Sequence, residues 1–252
     1  MSGVSIDGLP ASGAPFRVGV VLSKTFSVFG SRFASFLLLA FIPLIPLLAV
    51  ILLTLAGPQN GPPTGAAALG GLGGLSGVLY FLLGIVAQAT ALYGAFQQMG
   101  GKPFSISQSL GVGFARALPV LGVALLAVLF SGLAWILLVV PGIMVFCMLY
   151  VAVPACVIEE LGVMASLDRS ANLTKGYRWQ IFGLLALVGI ISVIAQISLL
   201  LLVGSLLWGL LVTFGWLLFA TSFGAVLVAV VYHDLRAAKE GMDIDNLANV
   251  FD

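Results

Sequence analysis

The side chains best equipped for chemistry fall late in the chain: Glu159-Glu160, Asp168-Arg169, Tyr232-His233-Asp234-Leu235-Arg236 and then Lys239-Glu240. Adjacent carboxylates near an imidazole can exchange protons as general acid and base, or take up a metal ion. The spacing supports neither role. His233 is the one histidine, and no H-x-x-x-H, C-x-x-C or Ser-His-Asp ordering accompanies it. A haem or pigment ligand role for His233 has no supporting pattern either. Glu159, Glu160, Asp168, Arg169, His233, Asp234 and Arg236 are therefore expected to form a polar cluster whose ion pairs lock helix ends together. No catalytic residue, metal ligand or cofactor is assigned.

The elements that must position this cluster are set by where charge is absent. All ten Lys/Arg, all nine Asp/Glu and the single His lie within 1–32, 102–116, 159–178 and 233–252. The charge-free stretches between them are 33–101, 117–158 and 179–232. Charged residues make up 8% of the chain and apolar ones 61%, whereas soluble domains carry roughly a quarter charged residues. A membrane-spanning helix needs about 20 mainly apolar residues, so each stretch holds two spans. The expected fold is an all-α polytopic membrane protein with six transmembrane helices in three hairpins. The spans run over about 33–56, 74–98, 117–139, 142–158, 180–203 and 207–232.

Local signals refine these bounds. Pro43 and Pro46 predict a kink in the first span. The stretch 57–65 reads as a neutral loop, the Gly-rich run 70–77 as loop or helix, and Pro141-Gly142 as the turn between spans three and four. Residues 1–15 are expected to be disordered, 16–240 to form one transmembrane domain and 241–252 an acidic tail. No cleavable signal peptide is expected. The loops at 57–70, 139–143 and 203–208 contain no Lys or Arg. The positive-inside rule then places both termini in the cytoplasm of a multi-pass inner-membrane protein.

Each hairpin is preceded by a short segment with an amphipathic pattern. Over 16–32 the apolar positions are Val18, Leu22, Phe26 and Phe29, continued by Phe33, with Arg17, Lys24 and Ser31 opposite. Over 104–116 they are Ile106, Leu110 and Phe114, continued by Leu118, after a Ser105-x-x-Gln108 capping pattern. Over 161–175 they are Met164, Leu167 and Ala171, with Asp168, Arg169, Asn172 and Lys175 turned to water and Gly176 as the C-terminal cap. Such helices lie in the headgroup plane and steer the chain into the next span. Arg17, Lys24, Arg116, Tyr177, Arg178 and Trp179 are the expected membrane-surface anchors.

Within the spans no charge marks an ion or substrate path. Gln88 and Gln196 are the mid-span polar residues, expected to hydrogen-bond between helices. The spacings Gly70/Gly74 and Gly73/Gly77 permit close helix approach. Cys147 and Cys156 lie nine residues apart in one predicted span, on opposite faces, and read as buried filler.

Certain residues of the second half also carry a resemblance. They are Pro141-Gly142-Ile143, Pro154 with Glu159, the run Ala165–Ser170 with Leu173-Thr174-Lys175-Gly176, Trp179 and Phe182, and Tyr232–Arg236 with Lys239-Glu240-Gly241. In these about 115 residues of reach the chain resembles the YciC-like bacterial inner-membrane proteins. It is similar too to the membrane domain found ahead of some glycerophosphodiester phosphodiesterases. The resemblance implies a bacterial inner-membrane protein without a settled molecular activity. Twelve residues follow Glu240, so no phosphodiesterase domain is expected.

These features favour a non-enzymatic structural or interaction role, organising lipid or a membrane complex. The alternative is a small-solute or lipid transporter or channel, suggested by repeats and by proline within spans (Pro43/Pro46, Pro119, Pro154). A lipid-headgroup enzyme using Glu159, Asp168, His233 or Asp234 ranks third. Membrane lipids and other inner-membrane proteins are the expected partners. A net charge of +1 gives no footprint for nucleic acid, and the sequence carries no sign of oligomeric state.

Overall fold

A computed structural model describes residues 16–56, 64–100, 106–201 and 206–251. Four prolines decide where several of its helices begin. Pro46, Pro119, Pro141 and Pro154 are the second or third residues of helices α3 (Ile45–Ala56), α6 (Ala117–Leu137), α7 (Val139–Leu149) and α8 (Ala152–Ile158). In a first turn the backbone N–H has no intrahelical partner, so the donor that proline lacks is not missed there. Pro119 and Pro141 therefore open spans, whereas Pro46 and Pro154 open a new helix within the first and fourth spans and so mark a break in each. The turn between spans three and four falls at Leu138, which is extended (φ −166°, ψ 148°), and Gly142 already donates to the Leu138 carbonyl at 3.1 Å. The expected turn at Pro141-Gly142 is thus displaced by one helical turn. Gly142 is needed there because a Cβ would stand 2.8 Å from Trp135 Cγ.

Before the first span, α1 covers Val18–Ser31; the span itself is α2 (Phe33–Phe41), a tight turn at Ile42–Leu44, and α3. Pro43 supplies the expected kink, with the Ile42 N–H donating to Leu39 across a single 3₁₀ step. The second span lies in α4 (Thr64–Met99), which takes the Gly-rich run into helix. Gly73, Gly74 and Gly77 have open space where a Cβ would be, so they bring no helix close. Next come α5 (Ile106–Ala115), α6, and the pair α7–α8, which is broken at Tyr150-Val151 instead of running on as one helix. The elbow α9 (Val163–Thr174), the fifth span in α10 (Arg178–Leu201) and α11 (Leu206–Phe251) complete the order. The tail expected after residue 240 continues α11 as helix to Phe251. The segments 1–15 and 57–63, the Ser105 cap and the region around Gly204-Ser205 lie outside the described residues.

Among the described residues, six helical segments, over Phe33–Leu53, Gly73–Met99, Ala117–Leu137, Val139–Ile158, Arg178–Leu199 and Leu211–Glu240, are long and apolar enough to cross a membrane. The chain is an all-α polytopic membrane protein, and no strand occurs among the described residues. Helix α11 is its axis. From Ser222 to Tyr232 all residues but Gly224 are buried, as expected of a helix that is apolar all round. Around it one apolar cluster gathers Phe29, Phe36, Leu92, Cys147, Leu173, Ile181 and Tyr232. A second gathers Ile85, Val120, Val123, Leu149, Cys156 and Leu167. The two cysteines are free and buried, one in each cluster, consistent with their reading as filler. By contrast, α6 and α10 turn Val128, Ile136, Ile190 and Ile194 outward.

The elbow helices split their apolar patterns: Phe29 and Leu167 are buried, and Val18, Leu22 and Leu110 pack against the core. Phe26, Phe33, Phe114, Leu118 and Met164 are exposed. The stripes that pack inward are Val21, Thr25 and Phe29 on α1, Ser109 and Gly113 on α5, and Ser166, Ser170 and Thr174 on α9, each at a four-residue step. Small side chains let the elbows sit close to the bundle; the stripe hydroxyls of α1 and α9 are hydrogen-bonded, whereas the buried Ser109 hydroxyl of α5 has no partner among the described residues. Thr25 donates to Val21 O at 2.7 Å, Ser166 to Gly162 O at 2.9 Å and Ser170 to Met148 O at 2.7 Å. On α5 the fit is tightest: a Cβ on Gly113 would stand 2.9 Å from Val86 O of α4. Gly176, at φ +93°, takes the left-handed position after α9, as its reading as a C-terminal cap requires.

Candidate functional site

Charged residues of α1, α9, α11 and the ends of α5 and α8 form a belt of ion pairs. Glu159 sits where α8 ends, Arg169 in mid-α9, and Tyr232, Arg236 and Glu240 on successive turns of α11. Arg169 donates from Nε to both Glu159 carboxylate oxygens at 2.9 Å, and its terminal nitrogen bridges Glu159 and Glu240. The Tyr232 hydroxyl donates to Glu159, and Arg236 Nε donates to Glu240 at 2.8 Å. Burial works against the charge on Arg169, but its hydrogen bonds to Glu159 and Glu240 outweigh that and raise its pKa above the usual guanidinium range. A raised pKa would let this contribution fade only at very alkaline pH, so the pair does not titrate from the arginine side in working buffers.

A second group ties α1 to α11. Lys24 Nζ lies 2.7 Å from Asp234 Oδ1 and 3.1 Å from His233 Nδ1. His233 Nδ1 is also 3.1 Å from Asp234 Oδ1, so it can accept from Lys24 or donate to Asp234, not both at once. A third pair joins Arg116 to Glu160 at 2.5 Å. Glu160 has φ +56°, the left-handed region that costs a residue with a Cβ.

Of the residues expected to cluster, Glu159, Glu160, Arg169, His233, Asp234 and Arg236 take part in these ion pairs. Lys24 and Arg116, expected as membrane-surface anchors, join them by pairing with Asp234 and Glu160. Patterns of apolar spacing assign a charge to the polar face of its own helix, and they do not register a carboxylate arriving from a distant one. Asp168 is exposed, and Trp179 is exposed beside Phe182. Tyr177 packs its ring 6.0 Å from Phe16, and Arg178 has a buried Nε with no partner among the described residues. Arg17 is exposed at the start of α1. No three His, Cys, Asp or Glu side chains converge to hold a metal among the described residues.

The second feature lies inside the membrane-spanning region. A cavity of about 490 Å³ opens between α2, α4 and α11, within the roughly 300–1,000 Å³ of small-molecule sites. Small residues make the space: Ala40 of α2, Gly84, Ala87 and Ala91 of α4, Ala124 of α6, and Ala220, Gly224 and Ala225 of α11. At Gly84 and Gly224 a Cβ would meet nothing within 4 Å. Pro43 at the kink of the first span and Tyr150 at the α7–α8 break also line it. Gln88 is exposed into this space between buried Ala87 and Ala89, eleven residues before Met99, or about 16 Å of helix. That is close to the middle of a hydrocarbon layer about 30 Å thick. Gln88, Tyr80 and Tyr150 make no side-chain hydrogen bond among the described residues. The expected interhelical bond of Gln88 is therefore not formed. Gln196, half-buried on α10, likewise has no partner among the described residues.

The cavity was not foreseen. Its sequence signal is the small-residue stripe Gly84, Ala87, Ala91, and such a stripe reads equally as close helix packing. No protein-family model matches the chain, and no curated protein or solved structure matches it either.

Proposed function

We propose that this is a non-catalytic integral membrane protein that holds a lipid-soluble molecule in the cavity between α2, α4 and α11. The observation that carries the reading is a mid-membrane cavity with an unpaired carboxamide, Gln88, facing it. A polar group in hydrocarbon costs free energy unless it is hydrogen-bonded, and the protein supplies Gln88 with no partner among the described residues. A bound molecule would supply one. The charged belt has a structural role in this reading, since Arg169 is already committed to Glu159 and Glu240, and Asp234 to Lys24. The proposed setting is a bacterial inner membrane with both termini in the cytoplasm, on the strength of the one-sided Lys/Arg distribution, and the YciC-like resemblance of the second half belongs to the same proposal.

A transporter is the second reading. It is favoured by one observation: the kink at Pro43 and the helix break at Tyr150 both border the cavity, as broken helices border transporter sites. Both readings are tested by extraction into native nanodiscs and mass spectrometry of the co-purifying small molecules. Wild type is expected to retain a species that Gly224→Leu releases. Identical complements from the two proteins would remove the cavity from the function.

A further inference from the structure

We propose that the cavity selects uncharged amphiphiles, molecules with an apolar chain and a carbonyl or hydroxyl group held by Gln88, and rejects phospholipid headgroups, fatty-acid anions and inorganic ions. The inference rests on the ligand-holding reading above and deepens it.

Three observations lead there. First, no Asp, Glu, Lys, Arg or His among the described residues lines the cavity, so an ion inside it would be desolvated without a counter-charge. Second, the nearest charges cannot serve from a distance. Val228, at the cavity wall, is one helical turn from Tyr232, whose fully buried ring packs edge-on against Phe96 at 5.5 Å. Beyond this floor Arg169 and Lys24 are taken up by Glu159, Glu240 and Asp234. Third, the polar groups that do line the space are neutral and of mixed capacity. The Gln88 carboxamide offers two donors and an acceptor, and the Tyr80 and Tyr150 hydroxyls offer one donor each. A ligand carbonyl can accept from Gln88 Nε2, and a ligand hydroxyl can donate to its Oε1. The remainder of the wall, with Phe36, Phe81 and Val228, suits an alkyl chain.

The depth of Gln88 points the same way. A phospholipid keeps its phosphate at the interface, about half a hydrocarbon thickness from this residue. A neutral lipid can bring its polar group to mid-membrane at far lower cost.

The test uses full-length protein in nanodiscs and three diazirine-tagged probes of equal chain length: hexadecanol, hexadecyl methyl ketone and hexadecanesulfonate. Cross-linking to peptides of α4 and α11 is read by mass spectrometry and titrated. The alcohol and ketone should bind at least about tenfold more tightly than the sulfonate, each tenfold step corresponding to about 1.4 kcal/mol. Gln88→Leu should weaken the alcohol and ketone by roughly threefold or more, since it no longer holds their polar group, without strengthening the sulfonate. Gly84→Leu and Gly224→Leu, whose added atoms enter open space, should abolish labelling by every probe, with melting curves checking that each variant is folded. Equal binding of sulfonate and alcohol, or alcohol and ketone binding undiminished in Gln88→Leu, overturns the selectivity proposal while the cavity reading stands. Labelling untouched by both glycine variants overturns the cavity reading itself. Wild type that binds none of the probes, its cavity holding water only, overturns both.

Discussion

Removing the Arg169 side chain beyond its methylenes, as in Arg169→Met, tests whether the ion-pair belt holds the bundle end together. Arg169 makes three close contacts with Glu159 and one with Glu240, with side-chain exposures of 29%, 17% and 44% for Arg169, Glu159 and Glu240. A hydrogen bond to a charged group contributes about 1.5–3 kcal/mol. The Glu159 pairing is more than four-fifths shielded on the carboxylate side, so it merits the lower part of that range, about 2 kcal/mol. The Glu240 contact is more exposed and Glu240 keeps Arg236, so it adds roughly 0.5 kcal/mol after screening. Arg169→Met is thus expected to cost about 2–3 kcal/mol, because Glu159 is left with the Tyr232 hydroxyl as its remaining side-chain donor among the described residues.

The measurement is reversible unfolding in mixed micelles with SDS, applied to Arg169→Met, Glu159→Gln and the double variant. If the two side chains act on each other, the cycle should return a coupling of about 1.5 kcal/mol. Independent sites add to within roughly 0.3–0.5 kcal/mol. A coupling inside that margin would show that the belt is an arrangement of surface charge without structural weight, and the argument would fail.

Three further predictions concern packing and backbone. Gly142→Ala puts a methyl 2.8 Å from Trp135 Cγ and 3.0 Å from its Cα, and should cost about 1–3 kcal/mol. Trp135→Ala in that background should restore only part, because the backbone contact persists, whereas full restoration would contradict the close approach. At Glu160, glycine removes a left-handed strain of about 1–2 kcal/mol and loses a pair to a 71% exposed carboxylate that is worth roughly 0–1 kcal/mol. Glu160→Gly should therefore be more stable than Glu160→Ala by about 1 kcal/mol in the same unfolding assay; equal stabilities would contradict the strain. Cys147 and Cys156, both buried, should escape a water-soluble maleimide in the folded protein and react after SDS unfolding. Labelling of the folded protein would place at least one thiol outside the two cores.

Fold and site were legible to different depths, for a physical reason. Crossing hydrocarbon imposes a demand that each span meets alone, so the charge-free stretches reveal six helices from composition. The positions of Pro119, Pro141 and Pro154 were visible too, but proline stops one helix and starts another with equal ease. Only the Leu138 backbone distinguishes the two at Pro141. Packing partners are set by pairs of helices, which explains why the elbows' apolar patterns mark Phe26, Phe114 and Met164, which stay outward, but not Thr25, Gly113 and Ser170, which pack inward. The residues of the belt were recognisable because opposite charges gathered at span ends. Their pairing was not, since Lys24 with Asp234 and Arg169 with Glu240 join elements far apart in sequence. The cavity was least legible of all, because alanine and glycine have the same spacing whether two helices touch or stand apart.

Helix α11 is the element on which cavity and belt depend together. Ala220, Gly224 and Val228 form one wall of the cavity, and Tyr232, Arg236 and Glu240 follow at the same four-residue step along the helix. A stripe of small residues that would leave a helix loose is thus continued by the side chains that fasten it. Tyr232 is where one becomes the other: its ring is fully buried against Phe96, and its hydroxyl reaches Glu159. On the adjoining face Phe219 and Phe223 pack against Phe29 of α1 at 5.6 and 5.8 Å. Space at mid-membrane is therefore kept open by contacts above and beside it rather than by its own walls. Loss of the belt should loosen the cavity, whereas filling the cavity should leave the belt intact.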